Sequence, residues 1–256
     1  MVQSIIVILA VFWFCYWVAK KLGLDDEFAS ILGSAVSICG VSAAIAAGGA
    51  VKGDQKKISH TISLVLLCAI PMLIFQPLIA KWAGMSPAVA GAWLGGTIDT
   101  TGAVVAAGAI AGPQALEVAV VVKMAQNVLI GFAAFFLAIW FTFKRQVAGQ
   151  KPSLMEIWFR FPKFVVGFII ASIVFSFFMS EASAKAVTGI TAGLRGWWFT
   201  MAFLCIGLET KFKELVAMGG GRPAAAFLIA QGFNIIWTLI FAYLIFGGIL
   251  FPVPKF

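Results

Sequence analysis

The sequence predicts an all-α, polytopic membrane protein of about eight transmembrane segments with broken helices. Three observations predict it. Of 256 residues, 62% are hydrophobic and 11% charged, and the mean hydropathy is +1.05, a composition foreign to soluble domains of this length. Apolar runs of roughly 20 residues recur, long enough to cross the hydrocarbon core as helices. Ten-residue strands of alternating polarity are absent, which excludes a barrel.

The spans are expected at about residues 4–19, 28–51, 58–80, 88–111, 114–143, 164–179, 187–208 and 223–250 of a single transmembrane domain, 1–256. The first carries Trp13, Tyr16 and Trp17 next to Lys20 and Lys21, an interfacial belt. The second is rich in glycine, alanine and serine and ends at Lys52, Lys56 and Lys57. Pro71 and Pro77 predict kinks in the third. Ser86-Pro87 opens the fourth, Gly112-Pro113 closes it, and the long fifth ends at Lys144-Arg145. Residues 146–163 read as an interfacial linker, and Pro223 opens the last span.

Basic residues sit in short clusters at the ends of apolar runs, so the net charge of +8 reads as topology and lipid contact, with no nucleic-acid partner. If the fourth run crosses fully, one side holds Lys20, Lys21, Lys81, Lys144, Arg145, Lys151, Arg160, Lys163, Lys211, Lys213 and Arg222. The other holds Lys52, Lys56, Lys57, Lys185 and Lys255. That excess makes the first side cytoplasmic. Cys15, Cys39, Cys68 and Cys205 lie inside apolar runs at irregular spacing, which fits neither a disulfide framework nor a zinc site. His60 reads as an interfacial residue. No nucleotide fingerprint, HExxH or Ser-His-Asp set argues for an enzyme, and no cofactor or metal is expected.

Three polar places interrupt the apolar runs. Around Cys39, Gly40 and Ser42, small residues serve either tight helix packing or a helix break that turns backbone amides toward a ligand. The stretch GGTIDTTGAVVAAG, residues 95–108, places Asp99 near the middle of the fourth run. A carboxylate there must be paired, hydrated or protonated. Thr97, Thr100 and Thr101 can bond freed backbone groups or a substrate. Asp99 is a candidate proton carrier in a dry cavity and a cation ligand otherwise. On the fifth helix Lys123 and Asn127 share a face beside Gln126. Lys123 is too deep to snorkel and needs a partner, for which Asp99 is the obvious choice.

ICGVSAAIAA (residues 38–47), GGTIDTTGAVVAAG, VVKMAQNVLI (121–130), WFRFPKFVVGF (158–168), CIGLETKFKEL (205–215) and GGRP (220–223) together resemble the sulfate exporter family of YeiH-like bacterial membrane proteins, in the family's order across nearly the whole chain. Lys123 and Ser42 are retained. Where the family usually has a histidine and an acidic residue before VVAAG, this chain has Asp99-Thr100, and the family arginine three residues after the lysine is Gln126. Both changes remove a basic group suited to an anion. Three or four further helices usually precede the first segment seen here, so the chain is either a C-terminal portion or a shortened form. The resemblance implies a fold related to bile-acid-symporter-like and cation/proton-antiporter-like proteins, built from inverted repeats.

The expectation is a secondary active transporter of the bacterial inner membrane that moves a small anion by alternating access. Cys39, Gly40, Ser42, Thr97, Asp99, Thr100, Thr101, Lys123, Gln126 and Asn127 would form the site, with a proton or sodium ion coupled through Asp99. The partners are then the anion, the coupling ion, the bilayer and, where two copies associate, a second chain in a homodimer. A proton- or sodium-coupled organic acid symporter and a non-transporting scaffold or sensor subunit are the rivals.

Overall fold

The computed structural model describes residues 1–144, 166–167, 170–171, 173–209 and 221–251. Among these residues the chain is helical throughout and contains no strand. The loops at 145–165 and 210–220 lie outside them, as do residues 164–165, 168–169 and 172 of the expected sixth span and the side chains of Lys185, Arg195 and Cys205. Helix α1 is Val2–Lys21, α2 is Asp26–Ser34 and α3 is Gly40–Val51, with a widened π turn, Ala35–Cys39, between the last two. Helix α4, Gln55–Trp82, runs unbroken through Pro71 and Pro77. Then come α5 (Pro87–Thr97), α6 (Thr101–Ala111), α7 (Pro113–Lys144), a second π turn (Val174–Phe178), α8 (Glu181–Glu209) and α9 (Arg222–Phe246).

Among the described residues, five helical stretches are long and apolar enough to cross a membrane: Val2–Lys21, Asp26–Val51, Gln55–Trp82, Pro113–Lys144 and Arg222–Phe246. The second does not cross. Lys57, in the first turn of α4, pairs with Asp25 at 2.8 Å and with Glu27 at 3.2 Å, at the start of α2. A Cβ on Gly48 or Gly53, at the end of α3, would lie 3.9 or 2.9 Å from Ile31 Cδ1 in α2. An uninterrupted helix would set residues 31 and 48 about 25 Å apart at 1.5 Å per residue. Helices α2 and α3 therefore form a hairpin that enters and leaves on one side. Asp25 caps α2 by accepting from Phe28 N at 2.9 Å, and Asp26 ties in Tyr16 at 2.6 Å, Lys20 at 3.0 Å and Lys144 at 2.8 Å.

Helices α5 and α6 fold back in the same way from the other side. A Cβ on Gly91 of α5 would lie 2.7 Å from Val118 Cβ and 3.2 Å from Ala115 C, while one on Gly108 of α6 would lie 2.9 Å from Leu116 Cα. The outer ends of both helices thus meet the first turns of α7. Small residues make this possible: Gly91 and Gly95, one turn apart, let α5 touch the α7 backbone at Ala115 and Ala119. Ser86 caps α5 with Pro87 in its first turn, and Thr100 caps α6 through Ala103 N at 3.4 Å.

This geometry departs from the expected crossings at 28–51 and 88–111, whose lengths suit a span but whose middles are bent. Lys52, Lys56 and Lys57 consequently share a side with Lys20, Lys21 and Lys144, and Lys81 moves to the opposite side. Arg222 opens α9 beside Gly23, where an added Cβ would be 3.5 Å from Nη1. Near the far end of α9, Ala242 packs with Ala80 and Val89. His60, expected at an interface, is 3% exposed, edge-on to Phe28 with ring centroids 5.8 Å apart. Much of the apolar surface faces outward, including Trp13, Trp17, Phe132, Phe136, Trp197 and Trp198, as lipid contact requires.

Candidate functional site

The two hairpins meet tip to tip. Helix α2 ends through the π turn at Cys39 (φ −148°, ψ 72°), and α3 begins at Gly40. Helix α5 ends at Thr97, and α6 begins after Ile98, Asp99 and Thr100. Cys39 Sγ lies 3.9 Å from Thr101 Oγ1. A side chain at position 40 would lie 3.1 Å from Asp99 Cβ and closer still to Val65. Glycine is required there by proximity.

Each bent helix leaves carbonyls without intrahelical donors at its first half's end and amides without acceptors at the start of its second half. Side chains fill the carbonyl ends. Lys123 Nζ donates to Ile38 O at 3.0 Å, and Asn234 Nδ2 to Val36 O at 3.1 Å. In the second hairpin, Gln126 Nε2 donates to Gly96 O at 3.1 Å and Gln231 Nε2 to Thr97 O at 3.0 Å. The amide end of α3 receives no such help, because its N-cap Cys39 makes no capping bond. An anion is the group that such an end attracts.

Asp99 sits in this junction, 2% exposed, with Oδ2 buried and without a hydrogen-bond partner. The expected Asp99–Lys123 contact pair does not form, although the two charges act on each other through space. The ammonium, 1% exposed, donates instead to Ile38 O and, at 2.8 Å, to Gln126 Oε1. A carbonyl and an amide oxygen are thus its hydrogen-bond partners, and Asp99 Oδ2 keeps none.

Cys39, Gly40, Asp99, Thr101 and Asn127 come together at the tips. Asn127 Nδ2 donates to Thr101 Oγ1 at 3.3 Å, and its Oδ1 is buried without a partner. Ser42 and Thr100 flank the junction and are half-buried. Thr97 belongs to the frame: its hydroxyl donates to Trp93 O at 2.7 Å and pairs with the Gln76 amide, with Gln76 Nε2 at 3.0 Å. Gln126 is likewise frame, bridging Lys123 to Gly96.

Sequence reasoning missed Gln76, Gln231, Asn234 and Gln3, whose Nε2 donates to Ala92 O at 3.1 Å. Their signal was available as isolated amides in apolar runs. Gln231 and Asn234 even repeat the spacing of Lys123 and Gln126. No group of three or more His, Cys, Asp or Glu able to hold a metal occurs among the described residues.

Comparison with known proteins agrees with a membrane setting. A UPF0324 membrane protein of Rhodopirellula baltica is 45% identical over 242 residues, covering 90% of this chain and 45% of its own length. One of Nitratidesulfovibrio vulgaris is 42% identical over 233 residues, covering 87% and 40%. UPF0324 membrane protein TauZ of Paracoccus denitrificans is 29% identical over 223 residues, covering 83% and 62%. The chain thus spans about half the length of the curated relatives it matches. No solved structure matches. The family described as conserved hypothetical protein 698 matches residues 1–226, and with five helices among the described residues long and apolar enough to span a bilayer, the chain belongs to this family of membrane proteins.

Proposed function

We propose that the chain forms the substrate-binding core of a secondary active transporter for a small anion in a bacterial inner membrane, working by alternating access between its two hairpins. The observation that carries this reading is the imbalance at the junction: the carbonyl ends of both bent helices are filled by side-chain donors, whereas the amide end of α3 has no cap. The uncapped α3 amides offer donors that an anion such as sulfate or a small organic acid would use, beside two unpartnered acceptors, Asp99 Oδ2 and Asn127 Oδ1, that a proton or a cation would use.

Asp99 supplies the coupling. Ionised, it repels an anion; protonated, its hydroxyl becomes one more donor. Anion and proton therefore favour each other's binding, and the two move together. Opposed hairpins that meet near the midplane fit an inverted repeat, each hairpin gating one side. Among the described residues, the concentration of Lys20, Lys21, Lys52, Lys56, Lys57, Lys144 and Arg222 on one side, against Lys81 on the other, supports a cytoplasmic first side.

Flux of labelled sulfate and small organic acids into proteoliposomes, under an imposed pH gradient and separately a sodium gradient, tests the reading. Proton-driven flux that becomes indifferent to the pH gradient in Asp99→Asn is the expected result. Sodium-driven flux would replace the proton with a cation at Asp99. Absence of flux for every anion tried, in protein that elutes as a folded species, would leave the scaffold reading standing.

A further inference from the structure

Helices α7 and α9 each carry two donors three residues apart, and each helix grips both hairpins. On α7, Lys123 holds Ile38 O of the first hairpin and Gln126 holds Gly96 O of the second. On α9, Asn234 holds Val36 O of the first and Gln231 holds Thr97 O of the second. Two straps therefore close the same pair of tips, through carbonyls two residues apart in the first hairpin and adjacent in the second.

The straps are unequal. Lys123 makes charge-assisted bonds, roughly twice as strong as bonds between neutral groups. Both α9 bonds are neutral. Gln231 also leaves Oε1 buried without a partner, and its amide's other contact is Met72 Sδ at 3.2 Å, a weak acceptor. Opening the tips lets water reach the freed carbonyls, so release at the weaker strap is the less costly motion.

We infer that Gln231 and Asn234 are positioning residues of the site, forming a releasable strap: α9 lets go of Val36 and Thr97 when the junction opens on the α9 side, while α7 stays bound to both hairpins and acts as the hinge. The inference rests on the transport reading, and its test reads the tips directly so that the two can fail separately.

Cys39, 6% exposed at the tip, is the reporter. In a form with Cys15, Cys68 and Cys205 replaced by alanine, the rate of Cys39 modification by N-ethylmaleimide is measured in proteoliposomes. Gln231→Met combined with Asn234→Leu should raise that rate about tenfold, and Thr142→Val, which removes a buried hydroxyl bonded only to Ala138 O within α7, should leave it within about twofold of the parent. A double variant that labels at the parent rate, or no faster than Thr142→Val, overturns the strap. Loss of anion flux in the parent itself would sink the transport reading and leave this labelling result intact.

Because the double variant removes two buried bonds and can fail to fold, a second variant tests the same motion by putting a reversible covalent link in place of the Asn234–Val36 bond. Val36→Cys with Asn234→Cys, in a form lacking all native cysteines, is oxidised to lock α9 onto the first hairpin. Flux should stop and return on reduction with dithiothreitol; unchanged flux in the cross-linked protein overturns the inference.

Discussion

Gly40→Ala places one methyl group where the hairpins touch. The added carbon would sit 3.1 Å from Asp99 Cβ and 3.3 Å from Val65 Cγ2, with Val65 Cγ1 closer still. Carbon pairs are comfortable at about 3.5–4.0 Å, so the tips must part by roughly 0.4–0.9 Å along the Asp99 contact alone. Val65 is fully buried and β-branched, so it cannot swing aside without straining χ1. Overpacking of this kind costs about 1–3 kcal/mol, which lowers the apparent melting temperature of a chain this size by roughly 2–12 °C. Thermal unfolding in detergent, followed by loss of the folded elution peak, measures it. Val65→Ala removes both obstructing methyl groups, so the double variant should recover at least about 1 kcal/mol relative to the sum of the singles. If Gly40→Ala melts with the parent, or if Val65→Ala gives it no relief, the tip-to-tip contact does not exist and the site built on it falls.

Three further outcomes follow from the same geometry. Lys123→Met strips donors from Ile38 O and Gln126 Oε1, a loss of about 2–6 kcal/mol at 1–3 kcal/mol for each orphaned group; a melting temperature within a degree of the parent would refute that role. Gly95→Ala would bring a carbon within 2.9 Å of Ala119 Cα. It should destabilise by about 1–3 kcal/mol, whereas Gly102→Ala, with nothing within 4 Å of the new carbon, should be close to neutral in the same melting assay. At the hairpin base, burial lifts the Asp25 carboxyl, but the Lys57 ammonium and the Phe28 amide outweigh it and hold the group below its ordinary range. A depressed carboxyl stabilises above its unfolded value of about 3.9 and loses that contribution as pH falls through the folded value. Asp25→Asn should therefore flatten the acid limb of the melting-temperature profile, by no more than about 1 kcal/mol because Asp25 is half exposed.

Much of this was legible in the chain. Apolar runs gave α1, α4, α7 and α9, and the breaks at Gly40 and Asp99 were visible as polar or small residues within such runs. The direction of the chain after each break was hidden. Residues 26–51 and 87–111 are long enough for a crossing, and only contacts between distant residues, Lys57 with Asp25 and Glu27 or Gly91 with Ala115, decide that they turn back. Lys123 was recognisable as buried, but its partner was not. Backbone carbonyls carry no sequence signature, so the carboxylate looked like the natural counter-charge until Ile38 O took its place. The amides Gln231 and Asn234 escaped for the same reason, since their partners are main-chain atoms of helices made much earlier in the sequence.

That separation governs how the protein can be made. Asn234 caps Val36 from 198 residues away. At about 5–20 residues per second, the ribosome delivers Asn234 roughly 10–40 s after Val36. During that interval the first hairpin is in the nascent chain without one of the donors its bent carbonyls need, and a bare carbonyl in hydrocarbon is costly. The element synthesised early is thus among the last to be completed, and insertion must hold it in a hydrated or chaperoned setting until the final helix arrives.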